Sequence, residues 1–220
     1  NAAAGNISLA GSGITLSTAT PTSTTTGNQS FLAPVTLTAN VAAASTSGNI
    51  SFSGAVDGNT AGSRTLTVNT TGATTFSGAL GGTNSLSSVT TNAGGTTTLG
   101  ADVTTSGAQT YNDAVTLGTN VTVSSTGTGV MTFADTVNGD APGARSLTAS
   151  SGGAKTFGGV VGGTASLSSL STNAGGATSI ASEVTTAGAQ FYGNNVTLTG
   201  NVTLTSSSAG DVTFSGTVRG

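Results

Sequence analysis

A segment of this chain occurs three times, and the rest of the sequence is spaced by it. The copies read TTGNQSFLAPVTLTANVAAASTSGNISFSGAVDG over 25–58, TSGAQTYNDAVTLGTNVTVSSTGTGVMTFADTVNG over 105–139 and TAGAQFYGNNVTLTGNVTLTSSSAGDVTFSGTVRG over 186–220. Gly27, Gly107 and Gly188 stand near their starts, and Gly58, Gly139 and Gly220 close them. Phe52, Phe133 and Phe214 hold one place in the three copies and set a constant step. The intervening segments, 59–104 and 140–185, keep that step through Arg64/Arg145, Phe76/Phe157, Leu86/Leu167 and Asn92/Asn173. Residues 1–24 hold two short strand signals, Ile7-Ser8-Leu9 and Ile14-Thr15-Leu16, and resemble the end of a preceding unit. The whole of 1–220 therefore reads as one array of about 2.7 copies of an 81-residue unit. A long internal period is the signature of a solenoid, in which each unit buries its apolar face against its neighbours.

The composition excludes an ordinary globular core: aromatic residues make up 4% of the chain and charged residues 5%. Disorder is the competing reading of such low complexity, but it usually accompanies high net charge and few large apolar residues. Here the net charge is −3 and apolar residues recur at fixed positions, which favours order. Cys and His are both absent. Disulfides, the usual zinc and haem ligands, thiol nucleophiles and the common neutral-pH base are thereby removed. Four Lys and Arg form no basic patch for phosphates, so nucleic acid is not an expected partner. No apolar run approaches the ~20 residues that span a bilayer as a helix.

One small motif dominates: a large apolar residue, three residues, then usually Val or Leu. It appears as Phe31/Val35, Phe52/Val56, Phe76/Leu80, Leu99/Val103, Tyr111/Val115, Phe133/Val137, Phe157/Val161, Ile180/Val184, Tyr192/Val196 and Phe214/Val218. A spacing of four suggests helix, yet the flanking triplets alternate, as in Val35-Thr36-Leu37, Leu66-Thr67-Val68 and Val121-Thr122-Val123. Alternation with β-branched residues between Gly-rich turns is a strand pattern. Strand signals near residues 52, 66, 76, 86, 99, 111 and 121 come about every 11 to 12 residues. An antiparallel sandwich and a parallel β-helix both fit that rhythm. Repetition at two scales favours an all-β, parallel β-helix. In it Phe31, Phe52, Phe76, Tyr111, Phe133, Phe157, Tyr192 and Phe214 form an internal aromatic ladder, with Asn, Thr and Ser ladders at turns and outer faces and a thin, dry interior. Two strand signals per coil give ~23 residues and four coils per unit ~20. Ten or so coils at ~4.8 Å make a rod of roughly 50 Å.

The ionisable residues are Asp57, Asp102, Asp113, Asp135, Asp140, Glu183, Asp211, Arg64, Arg145, Lys155 and Arg219. Catalytic carboxylates would recur in each copy or stand out in one. Instead Asp57 becomes Asn138 and then Arg219, Asp113 becomes Asn194, and Lys155 replaces Thr74. The charges read as solvated turn residues, with no catalytic, cofactor-binding or metal site and no enzyme activity expected. The calcium-binding nonapeptide of secreted repeats is missing, because Gly81-Gly82-Thr83-Asn84 and Gly162-Gly163-Thr164-Ala165 carry no acid at the ligand position. Thr-x-Thr triplets (Thr36/Thr38, Thr65/Thr67, Thr203/Thr205) suggest an ice-binding array, but counterparts in the next unit such as Thr116/Gly118 break it. Asn6, Asn28, Asn49, Asn69, Asn120, Asn195 and Asn201 begin Asn-x-Ser/Thr sequons and are glycosylation acceptors in a host with the machinery.

The units GAQTYNDAVTLGTNVTV, RTLTVNTTGATTFSGALGG and SLSSVTTNAGGTTTLGADVTT resemble repeats of very large secreted bacterial proteins of the filamentous-haemagglutinin type, exported by two-partner secretion or as autotransporter passengers. The resemblance implies a right-handed parallel β-helical stalk, a location outside the cell or on its surface, and a role in adhesion, aggregation or biofilm matrix. That family's secretion domain and receptor-binding insertions are not among these residues, so cell binding is carried to no residue here. The expected function is a structural fibre or adhesin stalk, with a repetitive glycan- or ice-binding surface as the alternative. Expected partners are further copies of the chain, end to end or side by side, and surface or matrix glycans. Gly220 is the counterpart of Gly58 and Gly139, where the other copies run on, which suggests a longer chain or end-to-end stacking.

Overall fold

Runs of three to six residues that alternate apolar with small polar side chains have one inward and one outward edge, and strands are what they form. The structure is a computed structural model describing residues 5–17, 23–173 and 175–220; the rest of the N-terminal stretch, 1–4 and 18–22, lies outside the described residues. Among the described residues there is no helix, and the strands run from two residues (Val218–Arg219) to six (Thr65–Thr70). Every strand pairing is parallel. Among the described residues no strand pairs with its chain neighbour; each pairs one full turn away, so the chain winds as a three-sided coil. The result is a β-solenoid of about 9 turns, roughly 43 Å long at ~4.8 Å per coil.

Face I is an unbroken ten-stranded sheet running from Ser23–Thr25 through Val41–Ser45, Thr65–Thr70, Ser88–Thr91, Gln109–Tyr111, Met131–Phe133, Lys155–Phe157, Thr178–Ile180 and Val196–Leu198 to Val218–Arg219. Face II starts as seven strands, Ile7–Leu9 to Val137–Gly139. It continues through the bridges Val137↔Val161 and Val161↔Val184 to Val184–Thr186 and Leu204–Ser206. Face III joins Ile14–Leu16, Val35–Leu37 and Val56–Gly58 through Leu80 to six strands, Val103–Thr105 to Val212–Phe214. The coils are unequal in length: a short one carries the chain from Thr97 to its partner Val115, and a long one from Val121 to Leu147.

Three strands per coil, not two, correct the rhythm read from the sequence. The spaced apolar motif is a corner rather than one strand: its first residue ends a strand and its last begins the next. The first four examples, Phe31/Val35 to Leu99/Val103, turn from face II to face III. The next four, Tyr111/Val115 to Ile180/Val184, turn from I to II, and the last two, Tyr192/Val196 and Phe214/Val218, from III to I. Between Ile50–Phe52 on face II and Met131–Phe133 on face I the chain makes eleven face-to-face steps, which is three coils and two thirds. The structural unit is therefore the coil, and residues one sequence unit apart lie on different faces: Phe52 on II, Phe133 on I and Phe214 on III.

The interior is filled by Val, Leu, Ile and Phe side chains from all three faces. Burying each stabilises by about 1.5–3 kcal/mol. The aromatic residues do not form one ladder. They make three short stacks: Phe31–Phe52–Phe76 on face II (centroids 4.6 and 5.4 Å), Tyr111–Phe133–Phe157 on face I (5.1 and 5.3 Å) and Tyr192–Phe214 on face III (5.0 Å). Each copy of the sequence unit supplies its own stack, displaced by a third of a turn. Phe214, on an outer coil, is only partly buried.

Candidate functional surface

The interior is not purely apolar, because each copy places polar side chains at one corner. In the segment Thr-x-Gly-x-Gln-x-Tyr, Thr105 Oγ1 donates to the Gly107 carbonyl (2.7 Å), and Gln109 Nε2 donates to Thr105 Oγ1 (3.1 Å) and the Ser124 carbonyl (2.7 Å). Tyr111 Oη then donates to Gln109 Oε1 (2.9 Å). Thr186, Gln190 and Tyr192 repeat this network bond for bond. In the first copy Gln29 bonds Thr25 Oγ1, and Phe31 replaces the tyrosine. Burial raises the Tyr111 and Tyr192 phenols above their ordinary values. Glycines stack along the same corners, Gly27–Gly48–Gly72–Gly95, Gly107–Gly129–Gly153–Gly176 and Gly188–Gly210, because a Cβ would overlap the backbone of the coil beneath.

Two charges read as solvated are buried. Lys155 is 1% exposed, and its Nζ donates to the carbonyls of Ser151 (2.7 Å), Gly153 (3.3 Å) and Gly175. Three donors meet three acceptors, which satisfies the ammonium geometrically, while desolvation still lowers its pKa. Its counterpart Thr74 leaves a buried hydroxyl with no partner in the protein. Asp113, also 1% exposed, accepts from Gly95 N (3.0 Å) and Thr97 Oγ1 (3.0 Å). Asn194 takes that role one copy later, accepting from Thr178 Oγ1 (2.8 Å). Nothing in the outward pattern of the sequence distinguishes these two ionisable residues from the rest; only the coil register places them inside.

Other charged residues bond to corner segments. Asp57 accepts from Thr83 N and Asn84 N of the next coil, and Asp102 from Thr122 N. Arg145 grips Asp140 with two bonds (2.6 and 2.8 Å), which holds that exposed carboxyl below its ordinary pKa and raises the guanidinium's. Arg64 makes the related contact to Asn59. No three carboxylates cluster among the described residues. All seven sequon asparagines are exposed. Their Oδ1 atoms build a coil-to-coil ladder: Asn6 accepts from Asn28 N, Asn28 from Asn49 N, and Asn49 from Ala73 N, each at 2.8 Å. Asn120 and Asn195 do the same for Ser146 N and Thr217 N, whereas Asn69 and Asn201 take no part.

The outward positions carry hydroxyl columns. On face I, Thr67, Thr90, Thr110, Thr132, Thr156, Ser179 and Thr197 stand in register on consecutive coils. Face II carries Ser8, Ser30, Ser51, Thr75, Thr98, Thr116 and Asn138. Face III mixes Thr36, Asp57, Thr148, Ser171 and Phe191. These columns are not the Thr-x-Thr array suggested by the sequence, since Thr36, Thr67 and Thr205 lie on faces III, I and II; the continuous column on face I joins residues one coil apart. Comparison with family models, curated proteins and solved structures found no match to the chain.

Proposed function

We propose that this chain is a structural rod, a length of stalk or matrix fibre carried on the bacterial cell surface or outside it, and that it acts mechanically rather than catalytically. The observation that supports this most is the coil-to-coil pairing on all three faces over about 9 turns. Its backbone hydrogen bonds run along the long axis, so bending or stretching opposes three ladders at once. The packed stacks and corner networks keep that column from collapsing. The repeats' resemblance to filamentous-haemagglutinin-type proteins supplies the location and the adhesive or matrix role. Immunogold electron microscopy of intact source cells, with antibody raised against residues 25–220, tests the reading. Label on fibres or stalks outside the cell is expected; label confined to the cytoplasm would overturn it.

A further inference from the structure

Face I has a property that its neighbours lack. None of its seven column hydroxyls, Thr67 to Thr197, hydrogen-bonds to another of the described residues, whereas Ser51 bonds Ser30 on face II and Thr104 bonds Ser124 on face III. Beside the column run exposed Ala108, Val130 (44% exposed), Ala154 and Ala177, on consecutive coils. No strand position facing out between Ala42 and Thr197 on this face is charged. Over the eight strands from Val41–Ser45 to Val196–Leu198 the face is thus uncharged and lined with the column's unpaired hydroxyls and with methyls; its charge is Arg219, beside Thr197 on the last strand. Face II is reduced to an isolated bridge at Val161, and face III carries Asp57 and Phe191.

We infer that face I is a side-by-side docking surface for a second copy of this chain. A hydroxyl both donates and accepts, so this column is its own complement: a two-fold copy brings donors to acceptors without needing a different partner surface. Threonine methyls and the alanine column interdigitate between them, as small side chains do between packed sheets. Absence of charge from these eight strands removes the repulsion that Asp57 would bring on face III. The exposed aromatic, Phe191, lies on face III, so face I has no ring platform for a sugar. Seven strands at ~4.8 Å and five residues at ~3.3 Å enclose roughly 500 Å² per copy. The total of about 1,000 Å² sits at the lower bound for a specific interface, so pairing at this length is weak and strengthens with each added coil.

Sedimentation velocity on residues 1–220, from micromolar to millimolar concentration, tests this. Wild type is expected to dimerise reversibly in the upper part of that range, with little dependence on salt. Thr132→Lys/Thr156→Lys is expected to weaken the dimer at least tenfold, and Thr98→Lys/Thr116→Lys on face II to leave it unchanged. Circular dichroism checks that both variants remain folded. A monomer at every concentration, or equal loss from both variants, overturns the inference. So does a monomer whose inhibition of ice growth or retention on a polysaccharide is lost only in the face I variant, which would give the face a different occupant.

Discussion

Lys155 titrates in a place where its charge is held by carbonyl dipoles alone, and this makes stability depend on pH in a definite direction. Its folded pKa lies below the ordinary 10.5 because of burial. Between the folded value and 10.5 the unfolded chain binds the extra proton, so stability rises with pH across that window. The buried phenols act oppositely: their folded values lie above 10.0, so their contribution is full below that pH and is lost as pH rises beyond it. Lys155→Thr, which installs the residue found at Thr74, should therefore gain most over wild type near neutrality and lose that advantage as pH rises toward the ordinary lysine range. Urea-unfolding midpoints of the two proteins measure it, and parallel pH curves would refute it. Tyr111→Phe isolates the neighbouring network. It leaves Gln109 Oε1 without its donor, and a loss of about 1–2 kcal/mol is expected by the same assay.

At the scale of the element, the corner governs what is tolerated. Gly129 lies directly over the Gly107 backbone, so an added Cβ must push two coils apart; Gly118 has nothing nearer than 3.6 Å to such an atom. Gly129→Ala should cost about 3 kcal/mol or more, and Gly118→Ala less than ~0.5 kcal/mol. Chemical denaturation of both variants decides, with equal losses counting against the stacked corner. Corners also limit what the sequence discloses. Strand type, parallel winding and the inward aromatics are legible because alternation and the Phe/Tyr positions declare one buried edge. The number of strands per coil is not, since Phe31-Leu32-Ala33-Pro34-Val35 looks like one apolar signal until the chain is seen to turn within it. The burial of Lys155 and Asp113 stays hidden for the same reason, because burial depends on register and register on where the corners fall. The seven sequon asparagines are legible as exposed, but their carbonyl role in linking coils needs the neighbouring coil to be known.

For the whole molecule, the mismatch between the sequence period and the coil has a mechanical consequence. Eleven face-to-face steps per sequence unit leave successive copies a third of a turn apart, so each type of corner visits all three edges in turn. A rod built this way spreads its glycine-stacked corners, aromatic stacks and sequon ladders around the axis instead of lining one side, which evens its resistance to bending. It also makes length programmable in steps that are not whole turns. Inserting a second copy of residues 53–133 after Phe133 joins every coil to a counterpart with the same corner chemistry, although all later residues change face. The insertion should lengthen the rod by three and two-thirds coils, about 18 Å, with unchanged cross-section. Small-angle X-ray scattering reads both quantities, the maximum dimension and the cross-sectional radius of gyration. Growth in cross-section without that added length would mean that the inserted unit folds beside the column, and that the coil register, not the sequence unit, sets where the chain can be extended.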